Sequence, residues 1–218
     1  MKSFLVIGMG RFGSSLATEL YQMKNDVLVV DKHEENITNI VNQVTNVIIG
    51  DAKDEAVLRS LGIHNFDCII VAIANALEDS VLTTIMLKEM GAKMIVCKAQ
   101  NEWHAKILAQ LGVDKVIRPE HDTGKRVAHS LVQKNIVDHL ELSPDYSILE
   151  LHTPVHWINK SLGENDLRKK YGITLIAIRS AKTDELSLSI NAETILYEDD
   201  ILTLIGPTHN LDKINVLK

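Results

Sequence analysis

The chain alternates short apolar runs with stretches whose apolar residues recur at three- and four-residue intervals. Phe4-Leu5-Val6-Ile7, Val27-Leu28-Val29-Val30, Val47-Ile48-Ile49, Cys68 to Ile73, Met94-Ile95-Val96-Cys97 and Val116-Ile117 form the runs. Continuous apolar runs of this kind predict strands of a parallel sheet covered on both faces. Between them, helical spacing marks Leu16, Ala17 and Leu20, and then Ile37, Ile40, Val41 and Val44 on a helix over 33–44. Ala56, Val57 and Leu61 mark a third helix, stopped by Gly62. A fourth over 77–90 would turn Val81, Leu82, Ile85, Met86 and Met90 inward, and a fifth carries Ile107, Leu108 and Leu111 before Gly112. This repeated strand–helix pattern over residues 1–120 predicts an α/β fold: a doubly wound, parallel-sheet Rossmann domain, with its ligand crevice at the carboxyl ends of the first strands.

The pattern then changes. Glu120 to Val132 reads as one more helix, with Val127, Ala128, Leu131 and Val132 apolar and no strand to feed into. Its apolar face needs a partner, and a second copy in a twofold contact would supply one. Residues 121–142 are read as this crossover helix and a linker, 133–142, ending at the turn Ser143-Pro144-Asp145. Residues 143–218 predict a small α+β domain. Its expected strands lie at 148–151, 173–178, 186–190 and 201–205, and its helices at 162–171 and 208–216.

The first run leads straight into Gly8, Gly10 and Gly13, spaced G-x-G-x-x-G with Met9, Arg11 and Phe12 between them. Each glycine has a mechanical task. Gly8 permits a tight turn, Gly10 lets a phosphate approach the backbone, and Gly13 lets helix pack close to strand. The helix then offers unpaired N–H groups and the positive end of its dipole to an anion. Asp31 ends the second run, near the ~20-residue offset at which an acid bonds ribose hydroxyls. Strand, glycine turn, helix and acid together point to a nucleotide.

Other polar residues fall at the same sheet edge, each with two readings. A cation at a helix start opposes the dipole. A polyphosphate would offset that for Arg11 with charge-assisted bonds of ~1.5–3 kcal/mol each; otherwise Arg11 faces solvent. Lys32 reaches a ribose or phosphate, or is a solvated surface lysine. Asp51 is a helix N-cap or a contact to the adenosine half. Lys98 is a surface residue or a phosphate ligand. Glu120 is a first-turn helix acid, or a hard oxygen ligand for a divalent cation beside polyphosphate.

Composition narrows the classes. A net charge of −6, with no basic stripe and 4% aromatics, argues against nucleic acid as a partner. No signal peptide is visible, and the apolar runs fall far short of the ~20 residues of a membrane-spanning helix. Cys68 and Cys97 sit inside strand-like runs and read as free, buried thiols of a reducing compartment. Thr123-Gly124-Lys125 has no glycine at position 119 to complete a P-loop. Pro154 separates His152 from His156, which rules out helical ligand geometry. A dehydrogenase needs a substrate domain and a proton-transfer group beside the nicotinamide; no Ser/His/Asp or Cys/His constellation offers one. An NAD-dependent oxidoreductase and an NAD(H)-sensing redox regulator stand as the rival readings.

Val6 to Gly13, Asp31, Gly50-Asp51-Ala52, Lys98-Ala99-Gln100, Arg118-Pro119-Glu120 and Leu167 to Gly172, in this order, resemble the potassium-conductance regulator (RCK/KTN) family, cytosolic gating subunits of Ktr and Trk potassium uptake systems. The resemblance covers the whole chain. It implies a regulator rather than an enzyme: dimers assembling into an octameric ring in the cytoplasm, peripheral at the inner face of the cell membrane beneath a potassium-translocating subunit of the KtrB/TrkH kind. It implies ATP or ADP, or in relatives NAD or NADH, held by the glycine motif with Asp31, Lys32, Asp51, Ala52 and Lys98. Arg11 matches the family arginine that reaches the terminal phosphate of ATP across the dimer. Glu120 matches an acid associated with a divalent cation there, and Arg168 a residue of the C-terminal module that binds cyclic di-AMP in some members. The family glycine expected at position 74 is Ala74 here, in Ala74-Asn75-Ala76.

Overall fold

The computed structural model describes residues 1–73, 76–132 and 136–214. They divide into two compact units, Met1–Glu120 and His121–Lys218. In the first, six strands alternate with helices: β1 (Ser3–Ile7), α1 (Arg11–Gln22), β2 (Asp26–Asp31), α2 (Glu34–Thr38), β3 (Asn46–Ile49), α3 (Glu55–Ser60), β4 (Cys68–Val71), α4 (Leu77–Glu89), β5 (Ile95–Lys98), α5 (Glu102–Gln110) and β6 (Lys115–Ile117). All pairings are parallel, in the order β3-β2-β1-β4-β5-β6. This is the doubly wound topology expected from the apolar runs. The chain leaves β1 toward β2 on one side and later returns to β4 on the other, so the strand order reverses between β1 and β4.

Burial explains why the runs are continuous. Leu5, Ile7, Ile69 and Val71 pack into the core on one face of the sheet, and Val6, Val29 and Ile70 into the core on the other. Strand alternation therefore places apolar side chains on both faces.

Two helices differ from expectation. The helix expected over 33–44 closes at Thr38. Side-chain amides of Asn39 and Gln43 donate to the carbonyls of Glu35 and Asn39, and i→i+3 turns follow at Ile40 and Gln43. Such local bonds compete with the helical ladder. Ile37, Ile40 and Val44 stay buried, whereas Val41 is exposed. In α4 the fully buried residues are Ser80, Thr83, Thr84 and Leu87; of the expected apolar set Met86 and Met90 pack against the core half-buried, Val81 and Ile85 are half-buried, and Leu82 is 41% exposed. Small hydroxyl side chains allow close packing, and both threonine hydroxyls find backbone carbonyls, whereas the buried Ser80 Oγ has no hydrogen-bond partner among the described residues. Thr84 Oγ1 donates to Ser80 O at 2.7 Å and Thr83 Oγ1 to Ala52 O at 3.5 Å.

The second unit takes most of α6 (Pro119–Val132), then β7 (Ile136–Glu141), β8 (Tyr146–His152), α7 (Leu162–Asn165), α8 (Leu167–Tyr171), β9 (Thr174–Arg179), β10 (Leu186–Ser187), β11 (Ile201–Pro207) and α9 (Thr208–Ile214). Its sheet is antiparallel throughout, in the order β10-β9-β11-β8-β7. The stretch read as linker is mostly β7; residues 133–135 of it lie outside the described residues, as do the last two residues of the helix expected to 216. The expected helix over 162–171 is two short helices, parted at Asp166, which has φ of 47°. The strand expected over 186–190 covers only Leu186 and Ser187. The core gathers around Trp157, Leu149, Leu151, Leu196, Leu202 and Leu204. Val127 and Leu131 of α6 are exposed.

Candidate functional site

A cavity of about 240 Å³ opens at the carboxyl ends of β1 to β4. That is the place where open α/β sheets bind ligands. Gly8 and Gly10 line it, with Asp31 and Lys32 from the end of β2, Asp51 and Ala52 from beyond β3, and Asp79 from α4.

The glycine turn is built as its spacing predicts. Gly8 has φ of +97°, and a Cβ there would lie 3.0 Å from the backbone of Ala72. Its N–H donates to Val30 O at 2.8 Å, tying the turn to β2. A Cβ on Gly13 would fall 1.9 Å from Gly8 O, so the first turn of α1 is pressed onto the loop. A Cβ on Gly10 would meet nothing within 4 Å. Gly10 is also the N-cap of α1, with no side-chain cap bond and no acid in the first turn. The 12-residue helix thus starts with uncapped N–H groups beside an open, side-chain-free position.

Asp31 is buried, and both oxygens hold backbone. Oδ2 accepts the Met9 N–H at 2.6 Å and Oδ1 the His33 N–H at 2.8 Å. The carboxylate therefore fixes the glycine loop while keeping unused lone pairs toward the cavity it lines. Met9 itself is a core residue of the sheet face that α1 covers. Asp51 is not a helix N-cap: Asp54 caps α3, accepting the Ala56 N–H, and Asp51 Oδ1 accepts the Lys53 N–H at 3.0 Å. Lys32 and Lys53 both pair with Asp79, at 3.8 and 3.2 Å. Asp79, and next to it Asp51, hold the Lys53 ammonium above its usual range.

A second group stands beyond the cavity lining. Lys98 is buried and its Nζ pairs with Glu120, while the same Nζ lies 5.7 Å from the centre of the Phe12 ring. Lys98 is not a surface lysine. It joins the end of β5 to the first turn of α6 over the glycine motif. The Lys98 hydrogen bond draws the Glu120 carboxyl below its usual range. Arg11 is exposed at the start of α1 and forms no ion pair among the described residues. Arg168 lies in the second unit, on α8, its Nε donating to Thr174 Oγ1 at 3.3 Å.

The structure thus brings Gly8, Gly10, Asp31, Lys32, Asp51 and Ala52 into one cavity, and Phe12, Lys98 and Glu120 into one cluster. Sequence reasoning missed Asp79 and Lys53. The available signal was an acid in the first turn of the helix after the fourth strand, which reads equally as dipole compensation. The departure at Ala74, with Asn75, lies outside the described residues. Among those residues no group of three or more His, Cys, Asp or Glu side chains is arranged to hold a metal ion. No helix among them is long and apolar enough to cross a membrane. Both cysteines are free and buried, and burial pushes the Cys97 thiol up to about 11.

Comparison with known proteins gives this arrangement a family. Residues 4–119 match the TrkA-N domain and 147–217 the TrkA-C domain. The chain belongs to the potassium-conductance regulator family. It is 39% identical over 212 residues to the Ktr system potassium uptake protein C of Bacillus subtilis, covering 97% of this chain and 95% of that one. With the Ktr system potassium uptake protein A of the same organism it shares 41% over 205 residues, 94% and 91% of the two chains. Among solved structures, the GsuK channel aligns over 99% of this chain with a TM-score of 0.72 at 19% identity. The GsuK channel bound to NAD aligns with a TM-score of 0.69, also at 19%. These channel matches share the fold, and this chain spans 39% of their length.

Proposed function

We propose that this chain is the cytosolic, nucleotide-sensing regulatory subunit of a potassium uptake system, acting on a membrane-embedded potassium-translocating subunit and catalysing no reaction itself. The observation that carries the reading is the cavity under the uncapped start of α1, with Gly10 open and Asp31 locked beside it. The family supplies the transport context, since both Bacillus relatives are Ktr system potassium uptake proteins.

In this reading adenosine occupies the cavity, with Asp31 on the ribose and Asp51, Ala52 and Lys32 around it. The phosphates run toward Gly10 and the helix start. ATP and ADP differ by one charged phosphate. Arg11, exposed and without an ion pair among the described residues, reaches that phosphate from a neighbouring subunit. Lys98 steadies Glu120, whose carboxylate joins phosphate oxygens on a divalent cation; one carboxylate alone offers a hard cation too few ligands. The subunits form dimers, in part through the exposed apolar face of α6, and the dimers an octameric ring. Arg168 belongs to a second ligand site in the C-terminal unit, of the kind that takes cyclic di-AMP.

A ligand switches such a ring only through unequal affinity for its two shapes, with couplings of typically ~1–3 kcal/mol per site. Several sites acting together then bias a gate that one site would not. The test is potassium flux through the membrane subunit reconstituted with this protein, under ATP and under ADP. The reading expects flux to differ between the two nucleotides. Identical flux with both, and with neither, would contradict it. NAD(H) sensing is the second reading, favoured by the buried acid at the end of β2 and by the NAD-bound channel of the same fold.

A further inference from the structure

Asp79 has no part in the nucleotide contacts proposed above, yet it stands on the cavity wall. Its side chain is only 17% exposed and faces two lysines from different loops, Lys32 after β2 and Lys53 before α3. Lys32 directly follows the ribose-binding acid. In dinucleotide folds a cation near that place accommodates a 2′-phosphate. Here that cation is drawn toward a carboxylate.

We infer that Asp79 is a specificity-determining residue: by occupying Lys32 and Lys53 it makes the ribose end of the cavity reject nucleotides with a 2′-phosphate. The inference rests on the reading of the cavity as a nucleotide site and adds which nucleotides that site refuses. The charges favour it. Asp31, Asp51 and Asp79 outnumber Lys32 and Lys53 by one among these five groups, and a 2′-phosphate would add up to about two more negative charges. The raised affinity of Lys53 for its proton reflects the same carboxylates. Without Asp79 the five groups become four, balanced in sign, and both lysines are free to meet a phosphate.

The experiment titrates ADP and 2′-phospho-ADP, which differ only in the 2′-phosphate, against the full chain by calorimetry. The readout is the ratio of the two affinities. Wild type is expected to favour ADP. Asp79→Asn, an isosteric change on the cavity wall, should narrow that preference about fivefold. Lys53→Met, which leaves Asp79 to Lys32 alone and removes a positive charge, should widen it. These opposite directions separate a charge effect from damage to the fold. An unchanged ratio in Asp79→Asn with ADP still bound would overturn this inference alone. Failure of ADP to bind wild type at millimolar concentration would overturn the nucleotide reading and this inference with it.

Discussion

Replacing Gly13 by alanine sets two opposing effects against each other, and the structure decides the sign. Inside an exposed helix, alanine is favoured over glycine by about 1 kcal/mol. At position 13 the new methyl would lie 1.9 Å from Gly8 O and 3.3 Å from Ala72 Cβ. The oxygen cannot swing aside, because Gly8 donates its own N–H to Val30 at 2.8 Å and sits at φ of +97° between β1 and β4. Restoring a normal contact moves backbone by more than 1 Å, an overpacking that costs about 3 kcal/mol or more. The net expectation is a loss of about 2 kcal/mol, which lowers the urea midpoint by about 1 M. Gly10→Ala is the matched comparison. Its Cβ meets nothing within 4 Å, and its φ of −70° suits any residue. Gly10→Ala should cost under about 1 kcal/mol, the usual difference at an N-cap, while weakening ATP and ADP binding because the methyl fills the space left for phosphate. Urea unfolding followed by circular dichroism, with calorimetric titration of each variant, reads both quantities. A Gly13→Ala protein as stable as wild type would refute the close-packing argument.

Further expectations follow from single contacts. Asp31→Ala removes the acceptor for the Met9 and His33 N–H groups and should cost about 2–4 kcal/mol; Asp31→Asn, which keeps an acceptor oxygen, should cost less, and equal midpoints for the two variants would contradict this. His104 is fully buried, accepts the Gln100 N–H on Nδ1, and leaves Nε2 without a partner. Burial pushes its pKa below the usual 6.5, so the folded chain binds fewer protons than the unfolded one. Stability should therefore hold above about pH 6.5 and fall as the pH drops below it; thermal midpoints of His104→Gln should depend less on pH over that range than those of wild type.

Much of the first unit was legible because local pattern and global fold agree there. Apolar runs such as Val6-Ile7 and Ile69-Ile70 are buried on both faces of one sheet, and G-x-G-x-x-G has one geometry that a side chain at position 8 or 13 would break. What escaped depended on partners distant in sequence. Ile136–Glu141 is polar enough to pass for a linker and becomes strand only by pairing with β8. Ser80, Thr83 and Thr84 look like the wet side of α4, yet they face the core because their side chains are small and the Thr83 and Thr84 hydroxyls bond to the carbonyls of Ala52 and Ser80 and to Cys97. Asp79 is an acid in a first helical turn, and only the fold brings Lys32 and Lys53 beside it. Lys98 was legible as a position and not as an environment, since its ion-pair partner Glu120 lies 22 residues away.

The most direct measurement is calorimetric titration of ATP and ADP against the wild-type protein and against Arg11→Ala. The account expects wild type to bind both and to distinguish them, and the variant to keep its hold on ADP while losing the distinction. A wild-type chain that takes up neither nucleotide at millimolar concentration, or a variant that tells ATP from ADP as well as wild type does, would contradict it.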